Sequence, residues 1–369
     1  MTRVAYYIDS HGFGHATRSM ALAQALPADW EIILRTNAPA WLFEKEMGRG
    51  FKQVDNPFDM HPVHTIGYRV DLAKTREVVS TKLARWEELV EGEARWLQEE
   101  KIDLVLSDVS SLPIRAAKRA GRPRFGIGNF TWDWIFEPWF VDDGSAWVVT
   151  LLREMMAEAT ENFRLPFSDA ETFPEGSTKT PILVRKTRLT RKEARKEFGF
   201  EEGVQYVLLT FGGMMSPTGA LDRLSEYAPI QFVQVAPSAS SDMPSLIQSK
   251  APGNLWTLHN PNLHHPDLVL AADCLVTKPG YGILSEAMST TTPMVLDKRP
   301  DFREYKTVHE TLRSYPQVAF IEPSEMEDLA IGEALESVLA AEPKEWSGGT
   351  DGDQFIASAI QRFLEHPPE

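Results

Sequence analysis

Residues 275–297, LVTKPGYGILSEAMSTTTPMVLD, contain the unit from which we predict the fold. An apolar run ends at Lys278, a Pro/Gly-rich turn follows, and a helical stretch then leads into a second apolar run, MVLD (294–297). A strand, a turn, a helix and another strand form a βαβ unit, and such units build parallel sheets. Parallel strands are covered on both faces and should be continuously apolar, as both runs here are.

The same alternation of strand and helix patterns extends outward through both halves of the chain. In the N-terminal half we predict helices at 20–26 and 83–100 and strands at 4–8, 32–35, 103–108 and 125–130. In the C-terminal half we predict strands at 206–211, 231–236, 274–278, 294–297 and 317–322. The pattern indicates an α/β protein with parallel sheets in both halves.

The length of 369 residues favours two domains, and a change of composition marks the boundary between them. Residues 164–184 are rich in Pro, Ser, Thr and Gly, which is typical of a connecting segment. The tail FIASAIQRFLEH (355–366) has an amphipathic helical pattern and could pack on either domain. We predict an N-terminal domain, a linker, a C-terminal domain and a C-terminal helix at 1–165, 166–180, 181–349 and 350–369.

Composition limits the classes of function. The formal net charge of −15 argues against a broad nucleic-acid surface but is compatible with a local basic pocket for a nucleotide. The single cysteine, Cys274, allows no intramolecular disulfide and fits a reducing compartment. The first residues lack the apolar core of a signal peptide, and no segment reaches the ~20 apolar residues of a membrane span. We therefore expect a cytoplasmic protein with no nucleic-acid partner and no transmembrane segment.

The residues after the first predicted strand are DSHGFGH (9–15). In open α/β sheets, ligands bind beyond the carboxyl ends of the strands. Gly12 and Gly14 allow the backbone to turn sharply and to approach a ligand closely, and the helix that begins near Ala16 directs free N–H groups to the same place. A structural tight turn is the alternative, because the third glycine of a dinucleotide fingerprint is missing.

Two loops in the C-terminal half are candidates for phosphate binding. Gly212 and Gly213 follow the strand at 206–211 and could form a phosphate cradle or only a turn. Lys278 and the N-terminus of the helix after it can both face a diphosphate. Glu286, about one turn into that helix, could accept hydrogen bonds from two ribose hydroxyls, or could merely complement the helix dipole.

This pattern resembles the nucleotide-sugar glycosyltransferases of the GT-B architecture. Their donor motif reads His-x-Gly-x-x-x-x-x-Glu after a strand in many plant and bacterial members. Lys278, Gly280 and Glu286 fall on its positions, with Lys in place of His, and Pro261-Asn262 stands where the family often has Pro-Gln. The resemblance implies the fold class, which is α/β of GT-B type with two Rossmann-like, doubly wound parallel-sheet domains facing a cleft.

The resemblance extends to the N-terminal half. Gly14-His15 resembles the Gly-His of the family, whose histidine is the catalytic base, and Asp108 matches the aspartate that orients this base. An acceptor hydroxyl is a poor nucleophile, so a base must lie within hydrogen-bond reach, and a carboxylate on its other nitrogen fixes the tautomer. As alternatives, His15 could cap the helix or contact phosphate, and Asp108 could cap the helix near Leu112.

A closer likeness is to the glycosyltransferase-like region of plant L-arabinokinases. The segments that carry it are GFGHATR (12–18), NFTWDWIF (129–136), TKPGYGILSEA (277–287) and DFREY (301–305). The family has a separate sugar-kinase module after this region, and we find no Gly/Ser-rich kinase phosphate loop in the present sequence. We therefore do not extend the kinase activity to this chain.

The remaining candidates would contact either the donor or the acceptor. Asp301 and Arg303 follow a strand, where related enzymes hold the sugar hydroxyls of the donor, or they belong to a solvated charged loop. The aromatic segment 129–140 either lines an acceptor pocket or forms buried core or a dimer surface. The predicted sets are, for the donor, Gly14, Gly212, Gly213, Lys278, Gly280, Tyr281, Gly282, Glu286, Asp301 and Arg303 and, for the acceptor, His11, Phe13, Trp132 and Trp134.

We predict no metal site and no cofactor apart from a nucleoside-diphosphate sugar as co-substrate. Residues 259–267, HNPNLHHPD, hold three histidines but resemble a zinc ligand set only weakly. We expect this loop near the base of the nucleotide, and we expect metal-independent transfer.

The predicted function is that of an inverting glycosyltransferase, with His15 as general base and with a small-molecule or glycan acceptor as second partner. A homodimer is one further option. The alternatives are a sugar-nucleotide epimerase of the same fold, which would turn over donor without acceptor, and a non-catalytic sugar-nucleotide sensor or partner subunit, which would bind donor without giving product. The sequence does not specify the nucleotide base, the sugar or the acceptor.

Overall fold

Apolar parallel strands form two separate seven-stranded sheets in the structure, which is a computed structural model. The structure describes residues 1–64, 70–142, 144–168, 170–211, 220–236, 245–260, 262–300 and 302–366. One sheet belongs to a first unit, Met1–Leu183 with Asp351–Glu369, and the other belongs to a second unit, Val184–Thr350. The predicted α/β fold with two Rossmann-like parallel-sheet domains is confirmed. Among the helices of the described residues, none is long and apolar enough to span a membrane.

The sheet of the first unit is parallel throughout. Its strands are β1 (Arg3–Tyr7), β2 (Glu31–Arg35), β3 (Lys52–Val54), β4 (Leu104–Asp108), β5 (Arg124–Gly128), β6 (Glu161–Arg164) and β7 (Thr178–Lys179). They are arranged in the order β3-β2-β1-β4-β5-β6-β7. Strands β1 and β4 pair directly although they are far apart in the chain, so the strand order reverses between them. Such a switch point is where open α/β sheets leave a crevice for ligands.

Helices follow most of these strands and cover the apolar sheet. They are α1 (Phe13–Ala25), α2 (Ala40–Glu46), α3 (Leu72–Leu83), α4 (Trp86–Glu99), α5 (Leu112–Arg119), α6 (Trp132–Phe136) and α7 (Trp147–Met156). The helix predicted at 83–100 begins three residues later than expected. Residues 84 and 85 separate α3 from α4, because Ala84 and Arg85 close the end of α3 with backbone hydrogen bonds to Ser80 and Lys82.

The second unit repeats the architecture with one exception at its edge. Its strands are β8 (Tyr206–Thr210), β9 (Gln231–Val235), β10 (Ser245–Gln248), β11 (Leu255–His259), β12 (Cys274–Thr277), β13 (Met294–Asp297) and β14 (Val318–Ile321). The order is β10-β11-β9-β8-β12-β13-β14, with β10 antiparallel to β11 and all other pairs parallel. Here the strand order reverses between β8 and β12.

The helices of the second unit are α8 (Arg191–Glu197), α9 (His265–Ala271), α10 (Tyr281–Thr290), α11 (Arg303–Leu312), α12 (Pro323–Glu327) and α13 (Gly332–Ala340). Helix α10 connects the neighbouring strands β12 and β13, which completes the βαβ unit predicted from residues 275–297. The lysine at the end of β12 and the start of α10 therefore lie at the carboxyl edge of the second sheet.

The last helix, α14 (Gly352–Glu365), belongs to the first unit. Its Ile356 and Ile360 are fully buried in the core of that unit, and the ring of Phe363 lies edge-on to Phe125 at 5.4 Å. At the start of the helix the backbone of Gly352 lies so close to the preceding segment that a Cβ atom would come within 2.6 Å of the carbonyl oxygen of Pro181. The C-terminal helix therefore packs on the first unit, whereas the sequence pattern was compatible with packing on either domain.

Candidate active site

The loop after β1 directs α1 toward the switch point of the first sheet. Gly12, which precedes the helix, has φ = 79°, a conformation that strains residues with a side chain. Asp9 accepts hydrogen bonds from the backbone N–H of His11 at 2.8 Å and from Nε1 of Trp132 at 2.9 Å. Burial raises the pKa of Asp9 to about 6, although the nearby His15 opposes this shift. The loop thus places His15 in the first turn of α1.

His15 and Asp108 meet at this switch point. Asp108 is the last residue of β4, and its Oδ1 lies 2.7 Å from Nδ1 of His15. His15 is 7% exposed and Asp108 is fully buried. The predicted pair is therefore in contact, in a position where solvent barely reaches it.

Arg18, which sequence reasoning missed, binds the same carboxylate. Its Nε donates to Oδ2 of Asp108 at 2.7 Å and its Nη2 donates to Oδ1 at 2.6 Å, while Ser19 adds a hydrogen bond of 3.1 Å. Arg18 also donates to Oδ1 of Asn129. Burial alone would raise the pKa of Asp108, but the charges of Arg18 and His15 hold it well below its usual range. The site therefore contains an ionised, bidentate Arg–carboxylate pair as well as the histidine.

The position of the guanidinium bears on the proton of His15. Nη2 of Arg18 lies 2.9 Å from Nδ1 of His15, almost as close as the carboxylate of Asp108. With the proton on Nδ1, the imidazole donates to Asp108 and its Nε2 can accept a proton. With the proton on Nε2, Nδ1 accepts from Arg18 and Nε2 becomes a donor. Only the first tautomer is suited to general-base chemistry.

The predicted acceptor residues differ in their environments. His11 lies edge-on to Trp132 with ring centroids 6.2 Å apart, and Trp132 is buried together with Trp134. Phe13, at the start of α1, packs edge-on against Trp41 at 5.6 Å, and Trp41 is 38% exposed. Trp41, from α2, is thus an accessible aromatic side chain beside the loop that sequence reasoning did not select.

In the second unit, Lys278 follows β12 at the point where α10 begins. Burial and, to a smaller extent, the charge of Arg299 lower the pKa of Lys278 to about 8 against the opposing effects of Glu304 and Asp297. Burial also raises the pKa of Asp297 to about 6. Two cations therefore lie close to the N-terminus of a ten-residue helix, which is an environment favourable to an anion.

The glycines at the start of α10 are not required by backbone strain. Gly280 has φ = −83°, and among the described residues an added Cβ atom would meet Ile283 at 3.9 Å and Lys278 at 4.0 Å. Tyr281 and Gly282 form the first turn of the helix. Neither backbone strain nor contact with the described residues therefore requires a glycine at 280.

Glu286 lies inside the second unit with both carboxylate oxygens engaged. Oε1 accepts from Nη2 of Arg185 at 2.9 Å, and Oε2 lies 2.6 Å from Nδ1 of His265. Burial opposes ionisation of Glu286, but the charges of His265 and Arg185 lower its pKa to about 2. His265 also lies 3.4 Å from Oγ1 of Thr210, at the end of β8. Arg185 and His265 were not among the predicted site residues, although His265 belongs to the loop expected near the nucleotide base.

Several predicted positions are outside these contacts. Gly14 follows Phe13 in the first turn of α1, and Arg303 is the first residue of α11. The positions Gly212, Gly213, Pro261 and Asp301 lie outside the described residues. Among the described residues, one group of side chains could hold a metal ion, namely Asp9, Asp59 and His61, whose ligand atoms lie within 4.8 Å of one another.

In sequence, the chain is similar to L-arabinokinase from Arabidopsis thaliana. The two are 31% identical over 368 residues, which cover 97% of this chain and 34% of that protein. The chain thus spans about a third of the length of this curated relative. No protein-family model matches the chain.

In structure, the chain resembles CalG4, the calicheamicin glycosyltransferase, with a TM-score of 0.64, 15% identity and 100% of both chains covered. It also resembles UGT2 of Phytolacca americana complexed with UDP-2-fluoro-glucose and pterostilbene, with a TM-score of 0.60 and 13% identity over 99% of this chain and 100% of that one. At these identities the likeness establishes the fold. The predicted GT-B fold and the predicted resemblance to glycosyltransferases and to plant L-arabinokinases are confirmed.

Proposed function

We propose that this GT-B chain transfers a glycosyl group from a nucleoside-diphosphate sugar to an acceptor hydroxyl, with inversion at the anomeric carbon. The observation that carries the proposal is the buried contact of 2.7 Å between His15 and Asp108 at the switch point of the first sheet. The comparisons support it, because CalG4 is a glycosyltransferase and UGT2 is complexed with a UDP-sugar analogue.

His15 is the general base in this proposal. When its Nδ1–H donates to Asp108, its Nε2 takes the proton of the acceptor hydroxyl. The acceptor oxygen bonds to the anomeric carbon while the bond from that carbon to the diphosphate oxygen breaks, and the electron pair leaves with the nucleoside diphosphate. Attack opposite to the leaving group inverts the configuration. Asp108 then stabilises the imidazolium that has formed.

Arg18 acts through its neighbours. It shares the carboxylate of Asp108 and thereby fixes the orientation of that side chain toward His15. Its Nη2 also lies 2.9 Å from Nδ1 of His15. We therefore assign Arg18 as a positioning residue that holds Asp108 in place beside His15.

The donor diphosphate is bound at the carboxyl edge of the second sheet in this proposal. Lys278 and the N-terminus of α10 supply positive charge to the departing diphosphate, so no metal ion is needed on it. Glu286 is buried and already accepts from Arg185 and His265, and we propose that it contributes by holding His265 in place. The further donor residues of the proposal are Gly14, Gly280, Tyr281, Gly282 and Arg303 and, outside the described residues, Gly212, Gly213 and Asp301.

The acceptor is bound beside the loop after β1 in this proposal. His11, Phe13 and Trp132 are the side chains next to that loop, and the exposed ring of Trp41 adds an aromatic surface. Aromatic rings and polar side chains together suit either a small molecule or a glycan.

The test is transfer by wild-type protein and by His15→Ala with a panel of nucleoside-diphosphate sugars and acceptors, with products identified by mass spectrometry. We expect wild-type transfer, and a turnover about 10²–10⁴-fold lower in the variant, the usual contribution of a positioned general base. The control is His366→Ala, an exposed histidine at the end of α14, which should retain full turnover. Donor binding should be unchanged in both variants.

Two outcomes would replace the proposal. Donor binding by wild-type protein without any product across the panel would support the non-catalytic sensor. Turnover of the donor sugar in the absence of an acceptor would support an epimerase. Full transfer by His15→Ala would exclude this histidine as the base.

A further inference from the structure

Three side chains that could bind a metal ion lie close together beside the loop after β1. Asp9 follows β1, whereas Asp59 and His61 belong to the loop after β3. Their carboxylate oxygens and imidazole nitrogen lie within 4.8 Å of one another. Both carboxylates are buried, which is an expensive arrangement for two like charges unless a cation balances them.

The imidazole of His61 provides a second, independent observation. Its Nδ1 is shielded from solvent and has no hydrogen-bond partner among the described residues. Oδ1 of Asp59 lies 3.9 Å away, beyond hydrogen-bond distance. Although the His61 side chain as a whole is 40% exposed, a shielded polar atom of this kind needs an explanation, and a bound ion is one of the usual ones.

The orientation of the cluster is held from outside. Asp59 accepts hydrogen bonds from the backbone and hydroxyl of Ser10 and from Nδ2 of Asn37 at 3.0 Å. The ring of His61 packs against the ring of His11, with centroids 5.2 Å apart. Outer hydrogen bonds and ring contacts of this kind orient the ligands of metal sites.

Three side chains that can carry positive charge face the two carboxylates of the cluster. Lys82, from α3, donates to the backbone oxygen of Asp59, and its charge acts on both Asp9 and Asp59. The imidazoles of His15 and His61 also face Asp9. Lys82 balances one of the two negative charges, and either a proton on an imidazole or a bound metal ion can balance the other.

We propose that Asp9, Asp59 and His61 bind one divalent cation, with zinc as the best-suited ion. Zinc accepts imidazole together with carboxylate ligands, whereas magnesium and calcium prefer oxygen ligands alone. Zinc holds these ligands at about 2.0–2.2 Å, so side-chain shifts of about 1 Å or less would close the three ligand atoms around it. Three protein ligands leave a fourth position for water or for a hydroxyl of a bound molecule.

The cation would connect two loops at the carboxyl edge of the first sheet. One of them leads directly into α1 and His15, so the ion would fix the base of that loop. The residues of this site belong to the first unit, whereas the diphosphate position is proposed on residues of the second. It also does not depend on transferase activity, because metal binding can be measured without any substrate.

The experiment is isothermal titration of the full, chelator-treated chain with Zn²⁺ and, separately, with Mn²⁺. We expect one Zn²⁺ per chain and a rise in melting temperature on saturation. Asp59→Asn and His61→Ala should each weaken Zn²⁺ affinity by at least about tenfold. Substitution of residues that only hydrogen-bond to metal ligands already has an effect of this size, so loss of a ligand should have no smaller effect. Asp55→Asn, an exposed aspartate of the same segment, is the matched control and should bind normally.

His61→Ala keeps the test valid if Asp59→Asn fails to fold, because the side chain of His61 is partly exposed and holds no buried partner in place. Circular dichroism of both variants checks the fold. Absence of stoichiometric binding of either ion by wild-type protein would overturn the proposal. So would unchanged Zn²⁺ affinity in a folded His61→Ala variant, since the ion would then lie elsewhere.

Discussion

The two sheets carry candidate sites at equivalent switch points, and these sites differ in how their charges are balanced. At the β1/β4 switch, the carboxylate of Asp108 is fully buried and bound by Arg18 and His15. At the β8/β12 switch, burial, followed by the charge of Arg299, lowers the pKa of Lys278 to about 8 against the opposing charges of Glu304 and Asp297. A buried carboxylate held by hydrogen bonds can position a reacting proton, whereas a buried ammonium group beside a helix N-terminus attracts an anion.

The largest expected effect tests whether His15 and Asp108 act as one unit at the β1/β4 switch. His15→Ala should reduce turnover by about 10²–10⁴-fold, and Asp108→Asn should reduce it as well. Residues that act as one unit are not additive, so the double variant should lose less than the product of the two single losses. Steady-state turnover of the three variants measures this. A fully multiplicative loss would show that the contact of 2.7 Å is not used in catalysis.

Each candidate site also contains a buried Arg–carboxylate pair, and removing the arginine from each site compares the two pairs. Arg18 binds Asp108 through two nitrogens, whereas Arg185 makes a single hydrogen bond of 2.9 Å to Glu286, which also keeps His265. Arg18→Met should therefore cost about 3–5 kcal/mol of stability, because it removes the charged partner and both hydrogen bonds of a bidentate pair from a fully buried carboxylate.

Arg185→Met should cost less, about 1–3 kcal/mol, because only one hydrogen bond to the carboxylate is lost. Hydrogen exchange followed by mass spectrometry measures both effects, since it reports the opening of each unit separately. Equal losses in the two units would contradict the difference between bidentate and single binding.

We expect donor binding to depend on residues of the second unit and the transfer step to depend on residues of the first. Lys278→Ala should weaken binding of a nucleoside diphosphate by about 10–100-fold, since a charge-assisted hydrogen bond contributes about 1.5–3 kcal/mol. His15→Ala should leave the same dissociation constant unchanged. Calorimetric titration of both variants decides the matter, and Lys298→Ala serves as control because this lysine pairs with Glu322 instead. A loss of affinity in His15→Ala would assign the histidine to the phosphates.

The pH dependence of donor binding gives a smaller effect with a definite sign. The ammonium form of Lys278 binds the diphosphate and is present below its pKa of about 8, so affinity should fall as the pH rises through 8. A bound anion raises that pKa and moves the decline to a higher pH in the complex. Lys278→Arg should abolish the decline, since arginine keeps its charge. A wild-type affinity that is constant from pH 7 to pH 9.5 would argue against contact with the diphosphate.

The smallest expected effect is that of chelation on donor binding. EDTA should leave the affinity for a nucleoside diphosphate nearly unchanged, because Lys278 and the start of α10 neutralise the phosphates in our proposal. Titration with and without chelator measures this. A large loss that Mg²⁺ or Mn²⁺ restores would instead indicate a metal ion at the diphosphate.

The central strands could be predicted from the sequence because each is a continuous apolar run, as in YVLLT of β8 and CLVT of β12. Five strands at a sheet edge or next to one were missed, since most of them are short and polar and depend on pairing with a formed sheet: β3 (KQV), β6 (ENFR), β7 (TK), β10 (SLIQ) and β11 (LWTLH). The local sequence pattern therefore predicts the central strands of each sheet, whereas most of the outer strands form only through tertiary pairing.

The residues of the candidate site likewise divide into those that the local sequence predicts and those that only tertiary contacts bring together. His15 and Asp108 could be predicted because His15 follows the turn after β1, Asp108 ends β4, and both match residues of the family that the sequence resembles. Arg18 was missed because an arginine one turn further along a helix usually belongs to a solvated face, and nothing local indicates that this one is buried. Arg185 was missed because its partner, Glu286, is 101 residues away. Long-range charge pairs of this kind are set by topology and leave no periodic signal.

The path of the chain through Gly352 has a consequence for dissecting the protein. The second unit is inserted between Leu183 and Asp351, and its two ends are tied together where Lys186 donates to the carbonyl oxygen of Thr350. On the other side of this junction, the backbone N–H of Gly352 donates to Ile182 at 3.0 Å. The first unit is therefore discontinuous in sequence. The hydrogen bond from Gly352 to Ile182 links its two segments, Met1–Leu183 and Asp351–Glu369. A cut before residue 351 would remove a core helix of the first unit, whereas replacing 184–350 with a short bridge would leave that core complete.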